Sequence, residues 1–300
     1  MNLSPPPPQF DKQQVRRSFE RAAQSYDQVA ILQREVGLRM QERLDLIKLK
    51  PLRVLDAGCG TGYALSFLRQ RYPQAQLLAL DIAASMLQKA CAPPAERSLV
   101  DWWQSLFRVL PEPVCADIEH LPFSGGVIDL VWSNLCLQWA NDLDQALREA
   151  YRCLSPGGLL MFSTMGPDTL KELRQAFSTV DGHAHVNRFI DLHDVGDSLV
   201  RCGFADPVMD METLTLTYAE LKDLMKDLKA LGAHNALRVR HPGLMGRGRW
   251  EALIQAYESS RYEGKLPASF EVVYGHAWKP MPRLSPSGKP VIPIQPLGAQ

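Results

Sequence analysis

The feature that most constrains this chain is a glycine-rich segment at residues 53–62, Arg-Val-Leu-Asp-Ala-Gly-Cys-Gly-Thr-Gly. A short apolar run, which predicts a buried strand, ends at Asp56, and Gly58, Gly60 and Gly62 follow at alternate positions. Glycine allows a sharp strand-to-helix turn and lets a ligand approach closer than a Cβ atom would permit. The helix predicted next points its first amides into the same space, which favours an anionic or carboxylate-bearing ligand.

The spacing of the glycines argues against two common ligand classes. A dinucleotide fingerprint needs glycine or alanine three places after Gly60, where this chain has Tyr63, and no Gly-Lys-Ser/Thr of a P-loop follows. A second acid, Asp81, ends the next apolar run. An acid at that strand end can accept both hydroxyls of an adenosine ribose, so the pattern favours an adenosine-containing ligand.

This loop, followed by Leu-Asp at residues 80–81, resembles the first two motifs of the class I S-adenosylmethionine (SAM) methyltransferases. The resemblance implies that SAM is the cofactor. The residues expected to bind it are Asp56, Gly58, Gly60, Gly62, Asp81, Ile82, Asp117, Ile118 and Asn134. The alternative is a glycine-rich turn in another kind of α/β protein.

Apolar runs alternate with helical patterns from residue 52 onward. Strands are predicted at 53–57, 76–81, 114–118, 128–134 and 159–165, and helices at 63–72, 84–91 and 142–154. Repeated βα units predict a parallel sheet covered on both faces, with the ligand at the carboxyl ends of the strands. Asp117 is predicted to accept from an adenine amino group, with turn capping as its alternative role.

The pattern changes after residue 165. Helices are predicted at 168–180 and 191–202, a strand at 208–217, a capping box at 217–220 that opens a helix at 221–231, and a strand at 270–278. The two later strands would complete the sheet as an antiparallel hairpin. We therefore predict an α/β fold: a seven-stranded Rossmann-like class I methyltransferase sheet with helices on both faces and an N-terminal helical lid.

Residues 11–50 have the helical periodicity from which the lid is predicted. Within this segment, Tyr26 either points into the opening of the cofactor site or packs where the helix meets the core. The pattern alone favours packing against the core. The domain is expected to span residues 11–280, between a flexible proline-rich tail at 1–10 and a disordered tail at 281–300. The apolar stripe at 94–110 predicts a packing helix or a partner-facing surface.

Charge and cysteine content exclude several classes of protein. The chain has 33 basic and 33 acidic residues, which argues against a nucleic-acid binder held by charge. No apolar run reaches the length of a membrane span, and no signal sequence is evident. The six cysteines lack Cys-x-x-Cys spacing, so we expect reduced thiols in a cytoplasmic protein, and neither zinc nor another metal. We expect a monomer.

Four further segments resemble the malonyl-acyl carrier protein O-methyltransferases of biotin synthesis. They are Ser18-Phe-x-Arg-Ala-Ala-x-Ser-Tyr-Asp27, Trp132-Ser-Asn-Leu-x-Leu-Gln-Trp139, Asn187-Arg-Phe189 and Leu228-Lys-Ala-Leu-Gly-Ala233. The resemblance covers roughly residues 11–280. It implies that the chain transfers the methyl group of SAM to the free carboxylate of a malonyl thioester, carried by acyl carrier protein or by coenzyme A. The segment at 94–110 and the C-terminal tail depart from the family pattern.

The same resemblance suggests substrate-binding residues. Arg188 is the candidate for binding the malonyl carboxylate through its guanidinium fork, although a surface arginine is equally compatible with the pattern. Tyr26 would close the pocket over the methyl group, and Trp139 would line the acyl channel. Arg238, Arg240, Arg247 and Arg249 form a basic patch that would steer an acidic carrier protein. His183 and His185 lack the neighbours of a metal site.

Three alternatives stay open at the level of sequence. The chain could methylate another small acid or a quinone precursor. Residues 165–174 also resemble mitochondrial respiratory-complex assembly factors, which are thought to hydroxylate a protein arginine. A cofactor-binding scaffold without catalysis is the third. Product analysis separates these three from the malonyl reaction.

Overall fold

A computed structural model describes residues 9–92, 110–181, 183, 185–232 and 246–282. The helices are α1 (Lys12–Ala22), α2 (Tyr26–Val29), α3 (Ile31–Asp45), α4 (Tyr63–Arg71), α5 (Ala84–Ala90), α6 (Leu143–Cys153), α7 (Lys171–Ser178), α8 (Leu192–Arg201), α9 (Leu221–Ala230) and α10 (Arg247–Glu258), with a short 3₁₀ turn at Leu137–Trp139. The strands are β1 (Arg53–Ala57), β2 (Gln76–Asp81), β3 (Glu112–Cys115), β4 (Ile128–Ser133), β5 (Leu154–Met165), β6 (Ala205–Tyr218) and β7 (Leu266–Trp278).

The described strands form one seven-stranded sheet in the order β3-β2-β1-β4-β5-β7-β6. The first five strands are parallel, and β7 lies antiparallel between β5 and β6. The chain moves outward from β1 to β3 and then returns to place β4 on the other side of β1. The strand order therefore reverses between β1 and β4, which is where ligands bind in open α/β sheets. The predicted fold class is confirmed.

The central strands are apolar on both faces because helices cover both faces of the sheet. Val54 of β1 packs into one core with α3 and α4, whereas Leu55 packs into a second core with α6 and α8. This two-sided burial explains why β1 and β2 are continuous apolar runs, and why their predicted bounds match the structure.

The predicted elements differ most from the structure at β3, at the start of α9 and at α10. Strand β3 covers Glu112–Cys115 instead of residues 114–118, because it lies at the sheet edge and turns away after Cys115 pairs with Asp81. An edge strand also tolerates Pro113. No capping box opens α9, because Thr217 pairs within the β6–β7 ladder and the side chain of Glu220 makes no capping hydrogen bond. Helix α10 was not predicted.

The N-terminal helices form the predicted lid. Helix α1 packs on α5, where Ala22 and Ala23 meet Met86. Helix α3 buries an apolar stripe against the sheet, comprising Leu32, Val36, Met40 and Leu44.

The folded domain begins before residue 11. Phe10 is 6% exposed, and its backbone N–H donates to Asn141 Oδ1 at 2.6 Å. The predicted tail boundary is therefore wrong by at least this residue, because Phe10 packs against Trp139. The rest of the two predicted tails, at residues 1–8 and 283–300, lies outside the described residues.

Gly62 supports the helix packing beside the site. It has a φ of +89°, and a Cβ atom there would lie 2.8 Å from the Cα of Ala90 in α5. We expect Gly62→Ala to lower the free energy of unfolding by about 2–4 kcal/mol, because a backbone contact and a left-handed conformation are both violated.

The matched control is Gly126→Ala, at a φ of +73° with no atom within 4 Å of the added Cβ. That variant should lose about 1–2 kcal/mol from backbone strain alone. Urea unfolding of both variants measures the difference. Equal losses would show that the contact between α4 and α5 contributes nothing.

Candidate active site

A cavity of about 600 Å³ opens at the carboxyl ends of the central strands, beneath the lid helices α1 and α2. A smaller cavity of about 150 Å³ adjoins it, and Tyr26, Gln33, Gly58, Gly60 and Asn134 border both. The cavities lie where the strand order reverses, as the sheet topology predicts.

The cavities bring together most of the predicted site residues. The large one is bordered by Tyr26, Gly58, Gly60, Asp81, Ile82, Asp117, Ile118 and Asn134. The small one is bordered by Asp56. Gly62 and Arg188 border neither of them.

The glycine loop is fixed against the end of β2. The backbone N–H groups of Gly58 and Cys59 donate to the Leu80 carbonyl at 2.7 and 2.9 Å. A Cβ atom on Gly58 would lie 2.4 Å from Cys136 Sγ, so glycine is needed there. A Cβ atom on Gly60 would meet nothing closer than the Tyr26 ring at 3.8 Å, so Gly60 presents bare backbone to the cavity.

Asp81 ties the loop to the next helix. Its Oδ2 accepts from the Gly60 N–H at 3.0 Å, and its Oδ1 accepts from the Ala83 N–H at 2.8 Å. Burial raises the pKa of Asp81 to about 6, although these backbone hydrogen bonds oppose the rise. Near neutral pH the carboxylate is therefore mostly ionised, with lone pairs for hydroxyl donors in the cavity.

Asp56 is a buried carboxyl group at the small cavity. It is 2% exposed, and its Oδ2 has no hydrogen-bond partner within the described part of the chain. Burial raises its pKa to about 8, and the neighbouring charge of Asp81 adds to the rise. Across the same cavity lies Arg34, whose Nη1 donates to the Asp27 carbonyl at 2.6 Å. An acid and a guanidinium on one small cavity fit the ammonium and carboxylate of an amino-acid ligand.

Asn134 holds the lid to the sheet as well as lining the cavities. Its Nδ2 donates to the Gln33 carbonyl of α3 at 2.9 Å, and its Oδ1 accepts from Ser163 Oγ at 2.8 Å. Both polar atoms of the side chain are therefore engaged within the protein. Its predicted cofactor contact stays a prediction.

Asp117 lies at the large cavity and also caps a turn. Its alternative role is therefore present, and its contact with adenine stays a prediction. Its Oδ1 accepts from the Glu119 N–H at 3.1 Å and pairs with Lys12 Nζ at 3.0 Å. Lys12 also pairs with Glu119, which joins the start of α1 to this end of the cavity. No local pattern points to Lys12, because its partners lie more than a hundred residues away in the chain.

Tyr26 is half-buried at the border of both cavities, at the start of α2. Burial, and then the charge of Asp81, raise the pKa of its hydroxyl above the ordinary value. The phenol is therefore neutral at physiological pH, suited to packing and hydrogen bonding. This position agrees with the predicted place in the cofactor mouth, while its catalytic role stays a prediction.

The far part of the large cavity is apolar. Trp139 lines it, packed between Phe10 at 5.6 Å and Phe19 at 5.4 Å between ring centroids. Further lining comes from β5, α7 and α9 through Met165, Leu170, Leu173, Phe177, Met225 and Leu228. Such a surface suits an acyl chain more than a charged ligand.

Arg188 does not occupy the place expected for a carboxylate-binding group. Its side chain is exposed, whereas its neighbours Val186, Asn187 and Phe189 line the large cavity. Of the two placements that the pattern left open, the structure has the surface one, with Arg188 exposed to solvent. The motif was correctly placed at the cavity, but the position within it was not.

The predicted basic patch is partly described. Arg247 and Arg249 are exposed, and Arg247 Nε pairs with Glu251 Oε1 at 3.0 Å. Arg238 and Arg240 lie outside the described residues, as does most of the segment 94–110. No cluster of three potential metal ligands occurs within the described ranges. In those ranges, no helix is long and apolar enough to cross a bilayer.

Comparison with solved structures agrees with this fold. The phosphoethanolamine N-methyltransferase 2 of Haemonchus contortus, solved with S-adenosyl-L-methionine, shares 16% identity and a TM-score of 0.51. The match covers 87% of this chain and 57% of that chain.

Comparison with known sequences identifies the family. The methyltransferase domain model matches residues 55–162. The malonyl-acyl-carrier protein O-methyltransferase of Gallionella capsiferriformans is 55% identical, covering 94% of this chain and 96% of the relative. The protein of the same name from a Methylovorus species is 57% identical, covering 96% of each. The chain therefore belongs to the malonyl-acyl-carrier protein O-methyltransferase family.

Proposed function

We propose that the chain is a SAM-dependent carboxyl O-methyltransferase that esterifies the free carboxylate of a malonyl thioester carried by acyl carrier protein. The observation that carries this proposal is the pair of adjoining cavities. The smaller is bordered by the buried carboxyl group of Asp56, and the far part of the larger is apolar. The names of close relatives supply the substrate class.

The residues present fit SAM. Asp56 offers an unpartnered buried oxygen for the α-ammonium group, and Arg34 offers a guanidinium for the α-carboxylate. Asp81, Asp117 and Ile118 line the large cavity. Asp81 would accept from the ribose hydroxyls, and Asp117 and Ile118 would border the adenine. When bound, SAM supplies an electrophilic sulfonium methyl group. Gly62 has a packing role in this arrangement and is not expected to contact the cofactor.

The chain's own contribution to the reaction is placement. A malonyl carboxylate is ionised near neutral pH, so the protein needs no general base. One carboxylate oxygen would take up the methyl group in a new O–CH₃ bond, and the electron pair of the broken S–CH₃ bond would stay on sulfur. Tyr26 and the lid exclude water around the reacting atoms, which strengthens each polar contact there.

The carrier is proposed to be the acyl carrier protein, with coenzyme A as an alternative carrier of the same malonyl group. Exposed Arg247 and Arg249 are placed to attract an acidic carrier. Charge reversal at Arg249 should raise the KM for the acyl carrier substrate while leaving that for the coenzyme A thioester unchanged. Equal effects on the two substrates would contradict steering.

Mass spectrometry of a reaction with SAM and malonyl-acyl carrier protein tests the function. We expect a gain of one methyl group that an esterase removes, since the product is a carboxylate methyl ester. The control is acetyl-acyl carrier protein, which lacks the free carboxylate and should gain nothing. Binding of SAM without a methylated product would instead favour the hydroxylase or scaffold alternatives.

A further inference from the structure

One wall of the large cavity is formed by the segment 185–189, between α7 and α8. Val186 and Asn187 are buried there, and His185 is half-buried, while Arg188 is exposed. The family-like motif therefore presents an imidazole and a carboxamide to the cavity and turns its guanidinium to solvent.

His185 is held in a fixed orientation by two neighbours. Its ring stacks on Phe177 with centroids 3.9 Å apart and an interplanar angle of 11°. Its Nε2 lies 2.8 Å from Asp181 Oδ1. Burial opposes ionisation of Asp181, but hydrogen bonds from the His183 backbone and the His185 ring outweigh it and lower the pKa of Asp181.

This geometry assigns the two nitrogens of the His185 ring. An ionised carboxylate accepts hydrogen bonds and cannot donate them, so Nε2 carries a hydrogen directed at Asp181. The other nitrogen, Nδ1, makes no hydrogen bond within the described residues. It is the ring atom left to meet a ligand, and in the imidazolium form it is a donor.

Asn187 has an unsatisfied polar atom in the same wall. The residue is 9% exposed, and its buried Oδ1 has no hydrogen-bond partner within the described part of the chain. A buried acceptor without a donor destabilises the free protein. A ligand at this wall that carries an N–H or O–H group would supply the missing donor.

We propose that His185 and Asn187, and not Arg188, determine specificity for the malonyl thioester. The imidazolium form of His185 donates from Nδ1–H to one oxygen of the malonyl carboxylate, while Nε2–H stays directed at Asp181. Asn187 Oδ1 accepts from the first amide N–H beyond the sulfur of the pantetheine arm. This proposal rests on the proposed function, since it assigns the substrate contacts of that reaction.

The other described cations at the cavity are less suited to this role. Lys12 is already paired with Asp117 and Glu119. Lys229 is exposed, so water screens its charge. His185 is half-buried and oriented, and one of its ring nitrogens is left to contact a ligand.

The reaction itself favours a single donor over an arginine fork. The carboxylate loses its negative charge as the methyl group is transferred, so a strong cation stabilises the substrate more than the transition state. A bidentate fork would also engage both oxygens, one of which must attack. One imidazole N–H binds a single oxygen and leaves the other for the methyl group.

Steady-state kinetics with malonyl-pantetheine test the His185 contact. His185→Leu should raise KM about 10- to 100-fold, because a charge-assisted hydrogen bond is lost, with kcat changed less than about threefold. His185→Gln restores an N–H donor and should recover part of the loss. The matched control is Arg188→Gln in the same segment, which should leave KM within about twofold.

The Asn187 contact is tested by changing the substrate as well as the protein. Asn187→Leu should raise KM about 5- to 10-fold for malonyl-pantetheine. It should leave KM unchanged for malonyl methyl thioester, which has no N–H group. The unfolding temperature of the free variant should be equal or higher, because an unsatisfied buried acceptor has been removed. A purely structural role for Asn187 would lower it.

Calorimetric titration with SAM, together with the kinetics, separates failure of the proposed function from failure of the proposed substrate contacts. All variants should bind SAM with the wild-type Kd, because the changed wall lies on the substrate side. If the wild type methylates no malonyl thioester, the proposed function fails. If the wild type is active but Arg188→Gln raises KM and His185→Leu does not, the function stands and this assignment of the substrate contacts is overturned.

Discussion

Replacement of Asp81 by asparagine should weaken SAM binding about 100-fold or more. The carboxylate accepts from Gly60 with one oxygen and from Ala83 with the other, so it shapes the loop in addition to its proposed contact with the ribose. An asparagine side chain has a single acceptor oxygen, and its amino group would oppose one of these two N–H groups. The substitution should weaken the loop contact and the proposed ribose contact together, because the same carboxylate oxygens of Asp81 make both.

Calorimetric titration of SAM into Asp81→Asn measures this effect. The matched control is Asp129→Asn in β4, whose Oδ2 also accepts from two backbone N–H groups. These belong to Leu52 and Arg53, at the start of β1 and away from the cavity end of the strand. That control should lower stability and leave the SAM Kd within about threefold. An Asp81→Asn protein that binds SAM as tightly as the control would remove Asp81 from the cofactor site.

Replacement of Asp56 by asparagine should stabilise the free protein while weakening SAM binding about 10-fold or more. The pKa of Asp56 is about 8 in the folded protein, against about 4 for an unfolded aspartate. Between these values the folded state holds a proton that the unfolded state has released. The contribution of Asp56 to the stability of the wild type therefore falls as pH rises from about 4 to about 8.

Thermal unfolding as a function of pH measures the stability part of this prediction. At pH 8 the melting temperature of Asp56→Asn should exceed that of the wild type by about 2–6 °C, and the difference should vanish below pH 4. Asp168→Asn, an exposed carboxylate, is the control and should show no such difference. A pH-independent difference would mean that Asp56 is not buried as a proton-binding group.

The Asp56 result would also show why the buried acid is kept. A buried carboxyl group destabilises the free protein. A ligand ammonium group that pairs with it removes this destabilisation, so only the free state is destabilised. Added SAM should therefore raise the melting temperature of the wild type more than that of Asp56→Asn.

The sequence was informative where local pattern and tertiary environment agree. The bounds of β1 and β2 follow from apolar runs buried on both faces, and the acids at their ends lie at the cavity as predicted. The antiparallel β6–β7 pair also follows from pattern, because each strand is long and is followed or preceded by turn residues.

The errors arise where distant residues decide the outcome. Thr217 has the spacing of a capping residue, but pairing with Pro267 keeps it in β6. Arg188 has the chemistry of a carboxylate-binding residue, but the burial of Val186 and Asn187 turns it outward. Helix α10 had a usable signal in the apolar repeat of Trp250, Leu253 and Tyr257, which the basic residues beside it obscured.

The packing of α3 has a consequence for synthesis of the chain. Its buried stripe, which includes Val36 and Met40, is covered by Trp132, Leu159 and other residues made about a hundred positions later. On a ribosome the helix therefore emerges with its apolar face exposed and must wait for β4 and β5 before it can dock. A nascent chain stalled before residue 130 should bind chaperones that recognise apolar segments, and release from them should follow completion of β5.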